Sequence, residues 1–167
     1  LKDIMQFVDD RKHRAKTFTQ KLKQVPLEFD RSYWIDDPDF NIEYHIRHIA
    51  LPQPGDWRQL CIQVARLHAR SLDLSKPLWE LTVIEGLDNI PDVPKGSYAI
   101  VSKVHHCAID GLSGVEIDSS VTAATNSASA NVRIAGLARR VDNAIGTNAR
   151  WEVKIVNHRA RAGVAGV

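Results

Sequence analysis

The chain has 167 residues, 44% of them hydrophobic and 25% charged, with 9 glycines, 7 prolines and a net charge of +2. This is the composition of about one globular domain, which excludes wholesale disorder, collagen and low-complexity linkers. A charge this small supplies no general drive toward nucleic acid or a membrane surface. Two cysteines, Cys61 and Cys107, are too few for a disulfide framework and fit a reducing, cytoplasmic setting, and no run of about 18 apolar residues offers a spanning helix.

Charge divides the chain unevenly. Residues 1–131 hold 15 basic and 18 acidic side chains, whereas 132–167 hold 7 and 2. The stretch 121–130 is almost wholly Ala, Ser, Thr and Asn. We therefore expect a domain over residues 1–120 and an unassigned tail over 121–167, partly helical or flexible.

Leu1, Ile4, Met5, Val8, Ala15, Phe18 and Leu22 recur at helical spacing, interrupted by the charged run 9–14, and predict one amphipathic helix that Val25-Pro26 terminates. From Phe40 the alternation of Phe40, Ile42, Tyr44, Ile46 and His48 with Asn41, Glu43, His45 and Arg47 predicts a half-buried strand. After the break Leu51-Pro52-Gln53-Pro54-Gly55, Asp56 can cap a helix carrying Trp57, Leu60, Cys61, Val64, Leu67 and His68 on one face. Leu81 to Ile84 predicts a short strand, and 86–96, with two prolines, a loop. A further strand places Tyr98, Ile100, Ser102 and Val104 on one face and Ala99, Val101 and Lys103 on the other. It delivers the chain into His105-His106-Cys107-Ala108-Ile109-Asp110-Gly111, where chemistry is expected.

If the pleat persisted, His105 and His106 would project to opposite sides, leaving one catalytic and the other structural. A neutral imidazole, with an ordinary pKa of about 6.5, can accept a hydroxyl proton near neutrality and return it later. Asp110 can orient that ring as a triad carboxylate does or hold the turn through an ion pair, and the structural role is favoured. No metal is expected, because adjacent histidines on a strand diverge and no third ligand cluster is visible. Cys107 as a nucleophile beside His106 is disfavoured, since sequence neighbours need not meet in space. Ser113 lacks the G-x-S-x-G pattern of a nucleophile elbow.

The 105–111 segment resembles the HHxxxDG motif of bacterial wax ester synthase/acyl-CoA:diacylglycerol acyltransferases. Other blocks agree in order: the segment from Trp34 to Arg47 is similar to the family's WxxDPxFDxxYHVR, Leu51 to Gly55 to its LPxPG, and Leu72 to Glu80 to its LDxxxPLWE. The histidine motif is shared with condensation domains and chloramphenicol acetyltransferase-like enzymes, while the Trp and PLWE blocks point to the wax ester and triacylglycerol branch.

The resemblance covers about residues 1–117. It implies an α/β fold, the chloramphenicol acetyltransferase-like acyltransferase half-fold, with a mixed sheet flanked by helices and the second domain absent. It also implies an O-acyltransferase moving a fatty acyl group from acyl-CoA to diacylglycerol or a long-chain alcohol. His106 matches the general base, His105 a supporting position, Asp110 a structural carboxylate and Gly111 the turn that admits substrate. Acyl-CoA is then a co-substrate rather than a bound cofactor. Expected partners are the two substrates, a C-terminal acyltransferase domain and a lipid surface, the inner membrane or lipid droplets, with no nucleic acid. Half a cleft admits water, so little activity is expected of these residues alone. Alternatives from other classes are a non-catalytic lipid- or partner-binding half-domain and a condensation-type transferase using carrier-protein thioesters. Trp79 and Glu80 are expected to anchor the core, Trp34 and Tyr44 to pack beneath the strand, and the tail arginines to be solvated.

Overall fold

The computed structural model describes residues 2–12, 16–25, 31–108 and 149–157. Among them lie helices α1 (Lys2–Asp9), α2 (Ile42–His45, a single turn) and α3 (Trp57–Ala69). The strands are β1 (Gln20–Lys23), β2 (Tyr33–Asp36), β3 (Ile46–Ala50), β4 (Trp79–Glu85), β5 (Ser97–His105) and β6 (Ala149–Asn157). Short 3₁₀ turns occupy Lys16–Phe18 and His106–Ala108.

Strands β3-β4-β5-β6 form one sheet in that order, and β1-β2 pair separately. β3 runs parallel to β4, which is reached through α3, while β4-β5 and β5-β6 are antiparallel. A mixed sheet with helices against it is the expected α/β architecture. No helix among the described residues is long and apolar enough to cross a membrane.

Each sheet face buries a separate core. On one face Ile46, Trp79, Leu81, Val83, Ile100 and Val104 pack with Ile4 of α1 and Phe18, and Leu22 and Trp34 of the small ribbon join them half-buried. On the other, Ile84, Ala99, Val101 and Ile155 pack against Leu60 and Val64 of α3 and against Leu87, Ile90 and Val93 of the loop before β5. The alternation expected along β5 is therefore real, with both sides covered. A strand buried on both faces and paired on both edges gives the histidine turn at its end a rigid platform.

Asp56 caps α3 as its sequence predicts, accepting the Gln59 N–H at 2.9 Å. Just before it, Gly55 adopts φ 70° and follows the cis Gln53–Pro54 peptide. A Cβ there would stand 2.8 Å from the Gly86 carbonyl oxygen, so Gly55→Ala is expected to cost about 1–3 kcal/mol. Urea denaturation reads this directly; an unchanged midpoint would contradict it.

Three expectations are corrected. The single helix reaching residue 22 stops at Asp9: the acidic pair Asp9 and Asp10 stands at its C-terminal end, where the helix dipole disfavours negative charge, and no basic residue occupies its last turn. Leu22 lies instead on β1, opposite Trp34 of β2. The strand expected from Phe40 begins only at Ile46, because the Asn41 side chain accepts the Glu43 N–H at 2.9 Å and caps the turn α2. In the tail, the part described is a strand, β6, paired along the whole of β5. The rest of 121–167 lies outside the described residues.

Candidate active site

β5 is tied to β4 up to its last residue, where the His105 N–H donates to the Leu78 carbonyl at 3.0 Å. The pleat then ends and His106 opens the 3₁₀ turn, so the alternation that would separate the two rings does not extend through His106. His105 is half-buried and His106 exposed. Asp110 and Gly111 lie outside the described residues, as do Ile109 and Ser113.

The two imidazoles differ in what surrounds them. The Cys107 backbone N–H donates to His105 Nδ1 at 3.2 Å, and Cys107 Sγ stands 2.9 Å from the same nitrogen. Nδ1 must then carry the lone pair, leaving the ring proton of the neutral form on Nε2. Burial, with the neighbouring His106 adding to it, holds the His105 pKa below its ordinary value of 6.5. His106 makes no hydrogen bond to another described residue, so its nitrogens face no competitor there. Sequence neighbours do meet here, but the thiol meets His105 rather than His106. Burial raises the Cys107 thiol above its ordinary 9.0, which keeps it protonated at neutrality.

Two polar residues that the sequence did not single out underpin this turn. His45 is 1% exposed. Its ring is stacked between Trp79, centroids 4.4 Å apart, and Phe40, 5.3 Å, with Tyr44 edge-on at 5.1 Å. Its Nδ1–H donates to the Trp79 carbonyl at 2.8 Å. Trp79 is fixed in turn by its indole N–H, which donates to the Phe18 carbonyl at 3.0 Å.

Lys103, 5% exposed, donates its ammonium to the carbonyls of Leu67 at 3.3 Å, His68 at 3.0 Å and Arg70. It thereby donates to carbonyls of the last turn of α3 and of its C-cap Arg70, where the helix itself supplies no further N–H. Opposite it on β4 stands Glu80, which pairs with Arg47 at 3.6 Å and Arg70 at 3.4 Å. Trp79 and Glu80 thus anchor the core as expected, while Trp34 and Tyr44 are half-buried.

Burial lowers the His45 pKa from 6.5, overcoming the Trp79 hydrogen bond and the nearby Glu80 and Asp37, which raise it. Asp37 is also pushed up by burial, but the hydrogen bond from Lys21 at 2.7 Å and the Asp39 N–H bring it below 3.8. These directions fix the acid limb of stability. Below pH 6.5 the unfolded chain takes up protons that folded His45 refuses, so stability falls with pH by at most about 1.4 kcal/mol per unit for this ring. Asp37 adds a second loss below its ordinary 3.8. Urea midpoints should drop between pH 7 and pH 5, and equal midpoints would contradict the burial argument.

Among the described residues no group of three or more His, Cys, Asp or Glu gathers as a metal site.

Comparison with known proteins places this geometry among relatives. A family model described as wax ester synthase/diacylglycerol acyltransferase catalytic domain matches residues 1–167. A Mycobacterium tuberculosis protein called a probable diacylglycerol O-acyltransferase, tgs3, is 40% identical over 114 residues, 68% of this chain and 40% of its own length. Another from the same organism, tgs1, also called a probable diacylglycerol O-acyltransferase, is 42% identical over 100 residues, 60% of this chain and 20% of its own. The solved structure of a wax ester synthase/diacylglycerol acyltransferase from Marinobacter aquaeolei superimposes with a TM-score of 0.52 at 29% identity, over 70% of this chain and 27% of that one. The chain thus spans 40% or less of each of these three.

Proposed function

Because the chain belongs to the wax ester synthase/diacylglycerol acyltransferase catalytic-domain family, we propose that it serves O-acyl transfer from a fatty acyl-CoA to diacylglycerol or a long-chain alcohol, with His106 as the general base. The observation that carries this reading is the placement of His106. It is an exposed imidazole at the end of a strand buried on both faces, beside a His105 whose Nδ1 is already engaged.

In this mechanism the neutral His106 ring takes the hydroxyl proton as the alcohol oxygen attacks the thioester carbonyl. The tetrahedral intermediate collapses, the C–S bond breaks, and the imidazolium returns its proton to the departing CoA thiolate. A base held in place contributes about 10²–10⁴-fold. His105, neutral at physiological pH, adds no positive charge to discourage protonation of its neighbour. Asp110 is assigned to holding the turn and Gly111 to admitting substrate. Acyl-CoA is consumed as a co-substrate, and the lipophilic acceptor is collected from a lipid surface.

The test uses the protein in the form its gene encodes, with the 167 residues alone as a second arm in which little transfer is expected. Palmitoyl-CoA or a palmitoyl carrier-protein thioester is supplied with diolein or hexadecanol, and ester is resolved by chromatography. Ester from the CoA donor is expected. Ester only from the carrier thioester, or from no donor, would overturn the reading.

A further inference from the structure

Three sequence blocks that are separate along the chain meet in one line of hydrogen bonds. Successive carbonyls along a strand point to opposite edges. β5 takes the Leu78 carbonyl through the His105 N–H at 3.0 Å, so the Trp79 carbonyl turns toward the β3 edge. There the backbone ladder has not begun: the first pair is Ile46 with Leu81. The residue just before β3 is His45, and its ring N–H at 2.8 Å occupies the place of the missing ladder donor.

The ring can do this only in one orientation. Phe40 and Trp79 stack on its two faces at interplanar angles of 15° and 17°, and Tyr44 stands edge-on at 81°. Burial keeps the ring neutral, so the donor is supplied without placing a charge in the core. The peptide groups on either side of Trp79 are then held from opposite edges, one by His45 and the other by the residue preceding His106.

We propose that His45 is a positioning residue for the catalytic turn: its Nδ1–H fixes the Trp79 carbonyl, and through the adjoining Leu78 carbonyl fixes the backbone of His105 and hence the aim of His106. The Phe40-to-His45 segment, the Pro77-to-Glu80 segment and the histidine turn are one device. This rests on the acyl-transfer reading above.

Two variants separate aim from packing. His45→Phe keeps an aromatic ring in the stack and removes the donor, whereas His45→Asn keeps a neutral N–H near the Nδ1 position and loses the stack. In the protein as its gene encodes it, His45→Phe is expected to lose about ten- to a hundredfold in kcat at unchanged KM for acyl-CoA, since small misplacements of a base are that costly. His45→Asn should melt lower than His45→Phe yet turn over faster. Activity ordered opposite to stability is what a purely structural residue would not produce. If kcat instead follows thermal stability across the variants, or His45→Phe turns over like wild type, the proposal is overturned. Should His45→Phe fail to fold, a folded His45→Asn with kcat near wild type supports the proposal and one as crippled as a base deletion refutes it. Amide exchange at His105, about fivefold faster without the donor, is read in the same samples. If wild type makes no ester, the acyl-transfer reading fails, while exchange still decides whether the latch exists.

Discussion

Replacing Lys103 by Met is expected to destabilise the protein by about 1–3 kcal/mol, the range for removing the donor from a buried acceptor. Two effects oppose each other at this site. Burial already depresses the Lys103 pKa from 10.5, and Arg70 adds to this against the attraction of Glu80, so removing the ammonium relieves a real desolvation penalty. Against that stand the carbonyls of Leu67, His68 and Arg70, which the ammonium gathers at the end of α3. Methionine fills the same space and offers none of them a donor. It also removes a cation from the negative end of the helix dipole. Glu80 keeps Arg47 and Arg70, so no buried carboxylate is left unpaired to change the balance. The carbonyls decide the sign. Urea denaturation of wild type and Lys103→Met at pH 7 checks it, and a variant as stable as wild type would show that the desolvation penalty wins.

Replacing His106 by Ala is expected to lower kcat/KM for ester synthesis by about 10²–10⁴-fold, the usual contribution of a positioned base. The fold should be spared, because His106 is exposed and makes no hydrogen bond to another described residue. A thermal melt within a degree or two of wild type, paired with that kinetic loss, is the expected result. His105→Ala should behave differently: it removes a half-buried ring that the Cys107 N–H anchors, so stability and activity fall together. Comparable catalytic losses from both variants with an intact fold would show that the two rings share the chemistry.

Much of the fold is legible in the sequence where a local rule acts alone. α3 is readable because Asp56 caps it and Leu60 and Val64 face one way, and β5 because its alternation is unbroken. Sequence and structure part where a single polar side chain redirects the backbone. Asn41 turns the expected strand into a helical turn, and with that shift His45 leaves the polar face assigned by alternation and becomes a core residue. A sequence signal for Lys103 is present, since it shares a face with Ala99 and Val101. Its partners carry no such signal, being the carbonyls of a helix 33 to 36 residues away. β6 carries a local signal, the alternation of Trp151, Val153 and Ile155 with Glu152 and Lys154, but its pairing partner, β5, lies far back along the chain, so its place at that edge is not legible. Of the candidate site, His105 and His106 are placed and distinguished by the structure, while Asp110 and Gly111 lie outside the described residues.

Acyl transfer straight from CoA to the alcohol, with His106 taking the proton, is tested most directly by rapid mixing of the gene-encoded protein with acyl-CoA and following CoA thiol release with and without a long-chain alcohol. The account predicts no burst of CoA until the alcohol is present, then one CoA released in step with each ester. A burst equal to the protein concentration in the absence of alcohol, leaving an acyl group on the protein, would contradict it. Cys107, beside His105 Nδ1, is the first residue to search for that group.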